Sequence, residues 1–401
     1  MKDFKKIYEH SNNMVNFIKD QIEYICTKIP TRSPGTKGEE DTAFYLERYL
    51  KDECDITDTQ IEHYNFQPSA FYGWLYISNP LIILSIILSF IIPIVSLLLL
   101  IIAFIVSYFE FYRYKQFVDP LFKTKTGTNL TAIKKNPKAK QRIFFTGHMD
   151  AAWEFTYNYY FGLKGVITSM GVPLLGLIYF FIAYILVIIN PDLTILLQIG
   201  LLFIPFYIGL LFFWNPFKIV PGANDNLTGC LISVSILKAL KEHNIDLENT
   251  EVGIILTGSE EAGIRGAKAW SEKHKNDYKD IPTYILAIDT IYDPELLSVT
   301  IKDLNGTVHN DKELATMVTT AAKELNINCE EKVLGLPAGS TDASAFTQGG
   351  FKSICLVGMD YNIKRFYHTR IDTYDNLNDE AIDRAYRICI KIIENLENKN
   401  S

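Results

Sequence analysis

The chain reads as an α/β protein, a mixed sheet with helices on both faces, interrupted by two inserted apolar hairpins. Two observations lead there. Short apolar runs alternate with segments of helical period, the pattern of a sheet covered by helices. Set into that alternation are three uncharged stretches, residues 74–109, 166–189 and 193–214. A membrane-spanning helix needs roughly 20 apolar residues.

Each soluble-looking element has its own signal. An amphipathic helix is predicted over 14–29, a second helix over 39–51 and a strand over 56–66. Two further strands fall within 127–150. Apolar runs at 142–146, 252–257, 284–288 and 353–357 read as strands. Helices are predicted over 227–242, 264–275, 311–325 and 378–396; in the first of these Leu227, Cys230, Leu231, Val234, Leu237 and Leu240 keep helical spacing. In such folds ligands bind beyond the carboxyl ends of the strands.

The second and third uncharged stretches are separated by Asn190-Pro191-Asp192, a turn signal. The first fits one long tilted helix or a hairpin turning near Ile92-Pro93. If 13–66, 127–150 and 218–398 build one domain, they lie on one side of the bilayer, and each apolar block crosses an even number of times. Four spans follow: a hairpin at 71–110 and another at 165–217, with the domain assembled from 1–70, 111–164 and 218–401. Arg113, Lys115, Lys123, Lys125, Lys164 and Lys218 flank the domain side, and the far turns carry no Lys or Arg. The positive-inside rule then places the domain in the cytoplasm and the protein in the cell membrane. The sequons at Asn129, Asn226 and Asn305 are accidental on that reading.

Composition narrows the function. A net charge of −7 and the absence of basic blocks interleaved with aromatics argue against nucleic acid as a partner. The charged start, Met1-Lys-Asp-Phe-Lys-Lys-Ile, is not that of an ordinary cleaved signal peptide. Cys26, Cys54, Cys230, Cys329, Cys355 and Cys389 show no Cys-x-x-Cys spacing and read as reduced core residues.

Metal-ligand residues recur after apolar runs or turns: His148, Asp225, Glu261, Asp289 and His368. Taken singly, each has an ordinary explanation. His148 and Asp150 share a strand face and fit a surface pair, or a metal-binding imidazole with an acid on its other nitrogen. Asn224-Asp-Asn226 before a helix fits an N-cap. Glu260 and Glu261 fit an acid-rich helix start, or a ligand beside a proton shuttle. Together, two imidazoles and three carboxylates suit a pair of zinc ions. Their charges, +4 and −3, leave room for one hydroxide, the combination of a hydrolytic site.

The set resembles the M28 family of co-catalytic zinc peptidases. Gly147-His-Met-Asp150 looks like that family's G-H-x-D, Ser259-Glu-Glu-Ala-Gly263 like its E-E-x-G, and Gly339-Ser-Thr-Asp342 with Phe346 like its G-S/T-D-x-x-x-F. His368-Thr369, followed by Asp372 and Asp375, is similar to its closing H-T-x-x-D-x-x-D. The resemblance covers about 15–66, 127–160 and 218–396. It implies a zinc-exopeptidase-like fold and two Zn²⁺, with Mn²⁺ or Co²⁺ as substitutes. His148 and Asp289 would hold one ion, Glu261 and His368 the other, with Asp225 bridging. Glu260 would be the general base and Asp150 would orient His148. A cis bond after Asp225 is implied as well.

One departure is large: 76 residues, 149–224, separate His148 from Asp225, and the second apolar block fills most of them. The expected activity is removal of N-terminal residues from peptides by a membrane-anchored enzyme. A carboxypeptidase, or a one-zinc glutaminyl-cyclase-like enzyme, uses the same scaffold. A receptor that has lost its metals is countered by the intact ligand set, and a transporter by spans without charge.

Overall fold

The computed structural model describes residues 4–29, 31–336, 338–360 and 364–399. Met1 to Asp3, the first residues of the charged start, lie outside the described residues. The strands are β1 (Asp58–Phe66), β2 (Lys125–Lys134), β3 (Gln141–His148), β4 (Trp153–Phe155), β5 (Trp214–Ile219), β6 (Thr250–Thr257), β7 (Thr283–Ile291), β8 (Ser298–Asp303), β9 (Val308–His309), β10 (Glu330–Val333) and β11 (Lys352–Gly358). Among the described residues, nine of them form one mixed sheet in the order β1-β2-β6-β3-β7-β11-β8-β10, with β9 on β8; β4 pairs with β5 apart from it.

The central strands β6, β3, β7 and β11 run parallel, and β3 and β6 are buried at every position. Strands covered on both faces bury side chains of both parities, so they read as unbroken apolar runs. Ile143 and Phe145 of β3 enter one core, with the helices Ser11–Lys28, Lys37–Cys54, Thr228–Glu242, Lys312–Glu324 and Asp379–Lys399. Phe144 points to the other face, against Trp270 of the helix Arg265–His274 and Phe346 of the helix Asp342–Gln348.

Among the described residues, four helices are long and apolar enough to cross a membrane: Ala70–Leu88, Pro93–Tyr112, Thr156–Ile189 and Pro191–Leu210. They pair as hairpins turning at residues 89–92 and at Asn190. Their shared core holds Ile86, Leu100, Phe180, Tyr184, Val187 and Tyr207. Small polar groups join them, as where Ser85 Oγ donates to the Tyr184 hydroxyl at 2.9 Å. Outward faces expose large side chains such as Ile91, Leu98 and Ile182.

Several details differ from expectation. The helix begun at Thr156 starts ten residues before the uncharged run at 166, takes in Lys164 and bends at Gly162, whose φ is 61°. The second span runs past the uncharged block to include Glu110, which is buried against Arg265. The fourth span breaks into short α and 3₁₀ pieces and stops at Leu210, so that Trp214 begins β5. β8, β9, β10, the β4–β5 pair and the helix Asp342–Gln348 were not predicted. β10 reads Glu-Glu-Lys-Val and is largely exposed, and the others are too short to establish a period.

Candidate metal centre

The five ligand-type residues converge at the carboxyl ends of the central strands. His148 is the last residue of β3. Its position depends on Gly147, where a Cβ would meet the backbone of Gly229 and Cys230 at 2.5 Å. The helix Thr228–Glu242 therefore lies directly on the strand, and it brings Asp225 in on the turn before it. Asp289 sits near the end of β7, which continues to Ile291. Glu260 and Glu261 lie in a single 3₁₀ turn after β6, bounded by Ser259 at φ 55° and Gly263 at φ 95°, with Ile264 next at φ 55°. Positive φ is costly for a β-branched residue, and Ile264 is held there by complete burial. The Asp225–Asn226 peptide is cis.

Donor atoms face one another at short range. His148 Nε2 lies 3.2 Å from Asp225 Oδ1 and 3.9 Å from Asp289 Oδ1. His368 Nε2 lies 3.1 Å from Asp225 Oδ2 and 3.3 Å from Glu261 Oε2. Two three-residue groups thus share Asp225: His148–Asp225–Asp289 and Asp225–Glu261–His368. A third, His148–Glu260–Glu261, overlaps them. Ligands about 2.0–2.2 Å from a tetrahedral zinc stand about 3.3–3.6 Å apart, close to these separations. Among the described residues Asp225 Oδ2 and Glu261 Oε1 are buried without a hydrogen-bond partner. Asp225 Oδ2 is near His368 but not aligned with it. Buried oxygens are seldom left this way, and a cation would satisfy them.

Electrostatics point the same way. Burial, then neighbouring acids such as Asp342 and Asp289, push the Glu260 carboxyl well above its usual range. Glu261 is pushed up by burial, Asp225 and Glu260. Burial raises Asp289 to about 6. Burial would raise Asp225 too, but His148 and His368 outweigh it and hold it low. His148 is held well above 6.5, its contacts with Asp150 and Asp225 overcoming the cost of burial. So many acids in one dry place call for positive charge, which divalent metal supplies.

Asp150 does more than its position beside His148 suggested. Its Oδ1 is 3.5 Å from His148 Nδ1, and its two oxygens accept the backbone N–H groups of Glu260 and Glu261, each at 3.0 Å. Sequence reasoning missed three supports. Asp372 accepts from Asn224 N and Nδ2 and from Asp225 N at 2.9–3.1 Å. Arg32 donates to Met149 O and to Pro221 O and Gly222 O, tying the His148 and Asp225 turns together. Buried Glu39 accepts from Ser259 Oγ at 2.7 Å. Asp372 was visible in its motif; Arg32 and Glu39 stand in no pattern that marks them.

The acids open onto a cavity of about 260 Å³. Glu260, Glu261, Asp225, Asp289 and His368 line one side, and Phe71, Tyr72, Phe111, Val166, Met170 and Phe213 line the other.

The sequence model of peptidase family M28 matches residues 212–393. No curated protein sequence matches the chain. Solved structures are similar in fold. The LapA aminopeptidase of Legionella pneumophila is 12% identical, with 97% of this chain and 75% of that one covered and a TM-score of 0.54. A Zn-dependent exopeptidase of Parabacteroides distasonis is 12% identical, with 96% and 98% covered and a TM-score of 0.54. A glutaminyl cyclase of Bacteroides thetaiotaomicron is 12% identical, with 97% of each chain covered and a TM-score of 0.55. Residues 212–393 therefore match peptidase family M28, and the chain has the mixed α/β fold of these solved structures.

Proposed function

We propose that the protein is a membrane-anchored di-zinc aminopeptidase. The observation that carries this reading is the pair of three-ligand groups sharing Asp225 beside a cavity. His148 and Asp289 would hold one ion and Glu261 and His368 the other, with Asp225 between them. Bound zinc would polarise the scissile carbonyl and ease deprotonation of water. Glu260, at the cavity wall, would take the water proton and return it to the leaving amine. Asp150 orients His148 and fixes the Glu260–Glu261 turn through its two backbone contacts.

Charge supports a free N-terminus as the recognised end. On this reading Asp225, Glu261 and Asp289 are taken up by metal, and among the described cavity residues Glu260 and Asp360 are left against one lysine, Lys332. That lining suits an α-ammonium group, whereas a carboxypeptidase needs a cation for the terminal carboxylate. The glutaminyl cyclase neighbour supports a second reading on the same fold. A single bound zinc and cyclised N-terminal glutamine as product would favour it.

The four apolar helices support insertion in a membrane, and the basic residues on the domain side support a cytoplasmic domain. The test is metal analysis of detergent-purified protein with hydrolysis of free and N-blocked peptides. Two metal ions per chain, turnover of free N-termini only, and loss of both metal and turnover on chelation are expected. Glu260→Gln should keep the metal and lower kcat by about 10²–10⁴. Unchanged turnover in Glu260→Gln defeats the assigned mechanism.

A further inference from the structure

Part of the apolar lining of the cavity comes from the spans; Phe155, Leu334, Val357, Met359 and Tyr367 of the domain line it as well. Phe71 and Tyr72 belong to the first span, Phe111 to the second, Val166 and Met170 to the third, and Phe213 follows the fourth by three residues. Phe71, Tyr72 and Phe111 lie at the domain-side ends of their helices, and Val166 and Met170 lie ten and fourteen residues into the third, beyond its bend at Gly162. The hairpins therefore do not hang from a finished active site; they complete it.

The surface around those ends is apolar as well. Phe161, Phe212, Phe217 and Leu121 are 66%, 62%, 95% and 72% exposed. Aromatic side chains in that position mark the lipid–water interface of membrane proteins, and a patch of such residues on a soluble surface would be unusual. Arg113, Lys115, Lys123 and Lys218 stand in the same zone of the chain, where anionic headgroups attract basic side chains. The span residues that line the cavity thus stand next to this apolar and basic zone in the chain. At about 260 Å³ the cavity falls just below the roughly 300–1,000 Å³ of ordinary ligand pockets. It has room for the end of a peptide, and the remainder must lie outside, along the interface.

We propose that the substrates are peptides presented from the bilayer surface, with the N-terminal residue in the cavity and an apolar segment behind it resting in the lipid interface. The inference rests on the peptidase reading for its chemistry and on the wall residues for its selectivity. A fully polar peptide would reach the same acids but gain nothing from the bilayer.

The experiment uses full-length protein in phosphatidylcholine–phosphatidylglycerol vesicles. Two peptides share their first residues; one continues as an amphipathic apolar helix, the other as a polar chain. The apolar-tailed peptide should show kcat/KM higher by about tenfold or more. A photoreactive residue placed second in the apolar-tailed peptide should cross-link, in Glu260→Gln protein, to Met170, Phe213 or the Phe71–Tyr72 pair. Turnover of both peptides at equal efficiency upholds the peptidase and overturns this inference. Cross-linking at the wall with turnover of neither peptide upholds presentation from the bilayer and defeats the peptidase reading. Cross-links only at sites away from the wall overturn the inference whatever the turnover.

Discussion

At the scale of single residues, the ionisable groups divide into those of the metal centre and those that hold the fold. His274 belongs to the second kind. Its Nε2 contacts both oxygens of Glu62 at 3.0 Å, its Nδ1 contacts Asp277 Oδ2 at 2.6 Å, and Lys273 also reaches Glu62. Burial works against charge on the ring, but Glu62 and Asp277 outweigh it and raise His274 above 6.5. Burial would raise Glu62, yet His274 and Lys273 hold it below 4.5. The His274 contribution to stability is complete below about 6.5 and is lost as pH rises through the raised folded value. The Glu62 contribution is complete above about 4.5 and is lost as pH falls through the lowered one. The cluster therefore stabilises most between those two values. Thermal unfolding across a pH series should show a fall in Tm on the alkaline side that His274→Gln flattens.

Between elements, the two hairpins are clamped to the loops that carry the ligand-type residues. Arg265 begins the helix after the Glu260–Glu261 turn and donates to Ala262 O at 2.8 Å. Its guanidinium meets both oxygens of Asp119 at 2.9 Å and Glu110 Oε1 at 3.3 Å. On the other side Glu154 of β4 receives the Arg370 guanidinium, and Phe155 N donates to His368 O at 2.7 Å. Arg265→Met would leave Glu110 and Asp119 buried against each other. Removing one partner of a buried pair costs about 3–5 kcal/mol, so Tm in detergent should drop sharply, and Arg265→Lys should recover only part of it.

The same elements show what a sequence discloses. Buried parallel strands and long helices were legible because their apolar residues repeat. The five ligand-type residues were legible because each follows an apolar run or a turn, and the structure brings all five together. Arg32 was not, because it acts on the carbonyls of Met149, Pro221 and Gly222, and backbone acceptors leave no trace in composition. Glu110 escaped for another reason. It ends an apolar run, where an acid reads as the point at which the membrane stops, and only its partner Arg265, 155 residues on, makes it part of the interior.

For the molecule as a whole, the decisive property is sidedness. The turns at residues 89–92 and at Asn190 lie at one end of the four-helix group and the ligand residues at the other. With single cysteines introduced at Lys123 and Asp192, an impermeant thiol reagent applied to intact cells should label position 192 and leave position 123 unlabelled until the membrane is opened. Labelling of both from outside would remove the two-hairpin topology.

The clamp between Arg265 and the first hairpin also decides whether the protein can be made soluble by excision. Joining residue 69 to residue 113 through a short glycine bridge would delete Phe71, Tyr72 and Phe111 along with Glu110. Arg265 would keep Asp119 but lose its second acid, and Gly263, against which Phe71 packs at 2.8 Å from a built Cβ, would face water. The shortened chain should aggregate or purify without metal. Its solubility would be better sought by exchanging the outward-facing Ile91, Leu98 and Ile182 for polar residues, which leaves the cavity wall in place.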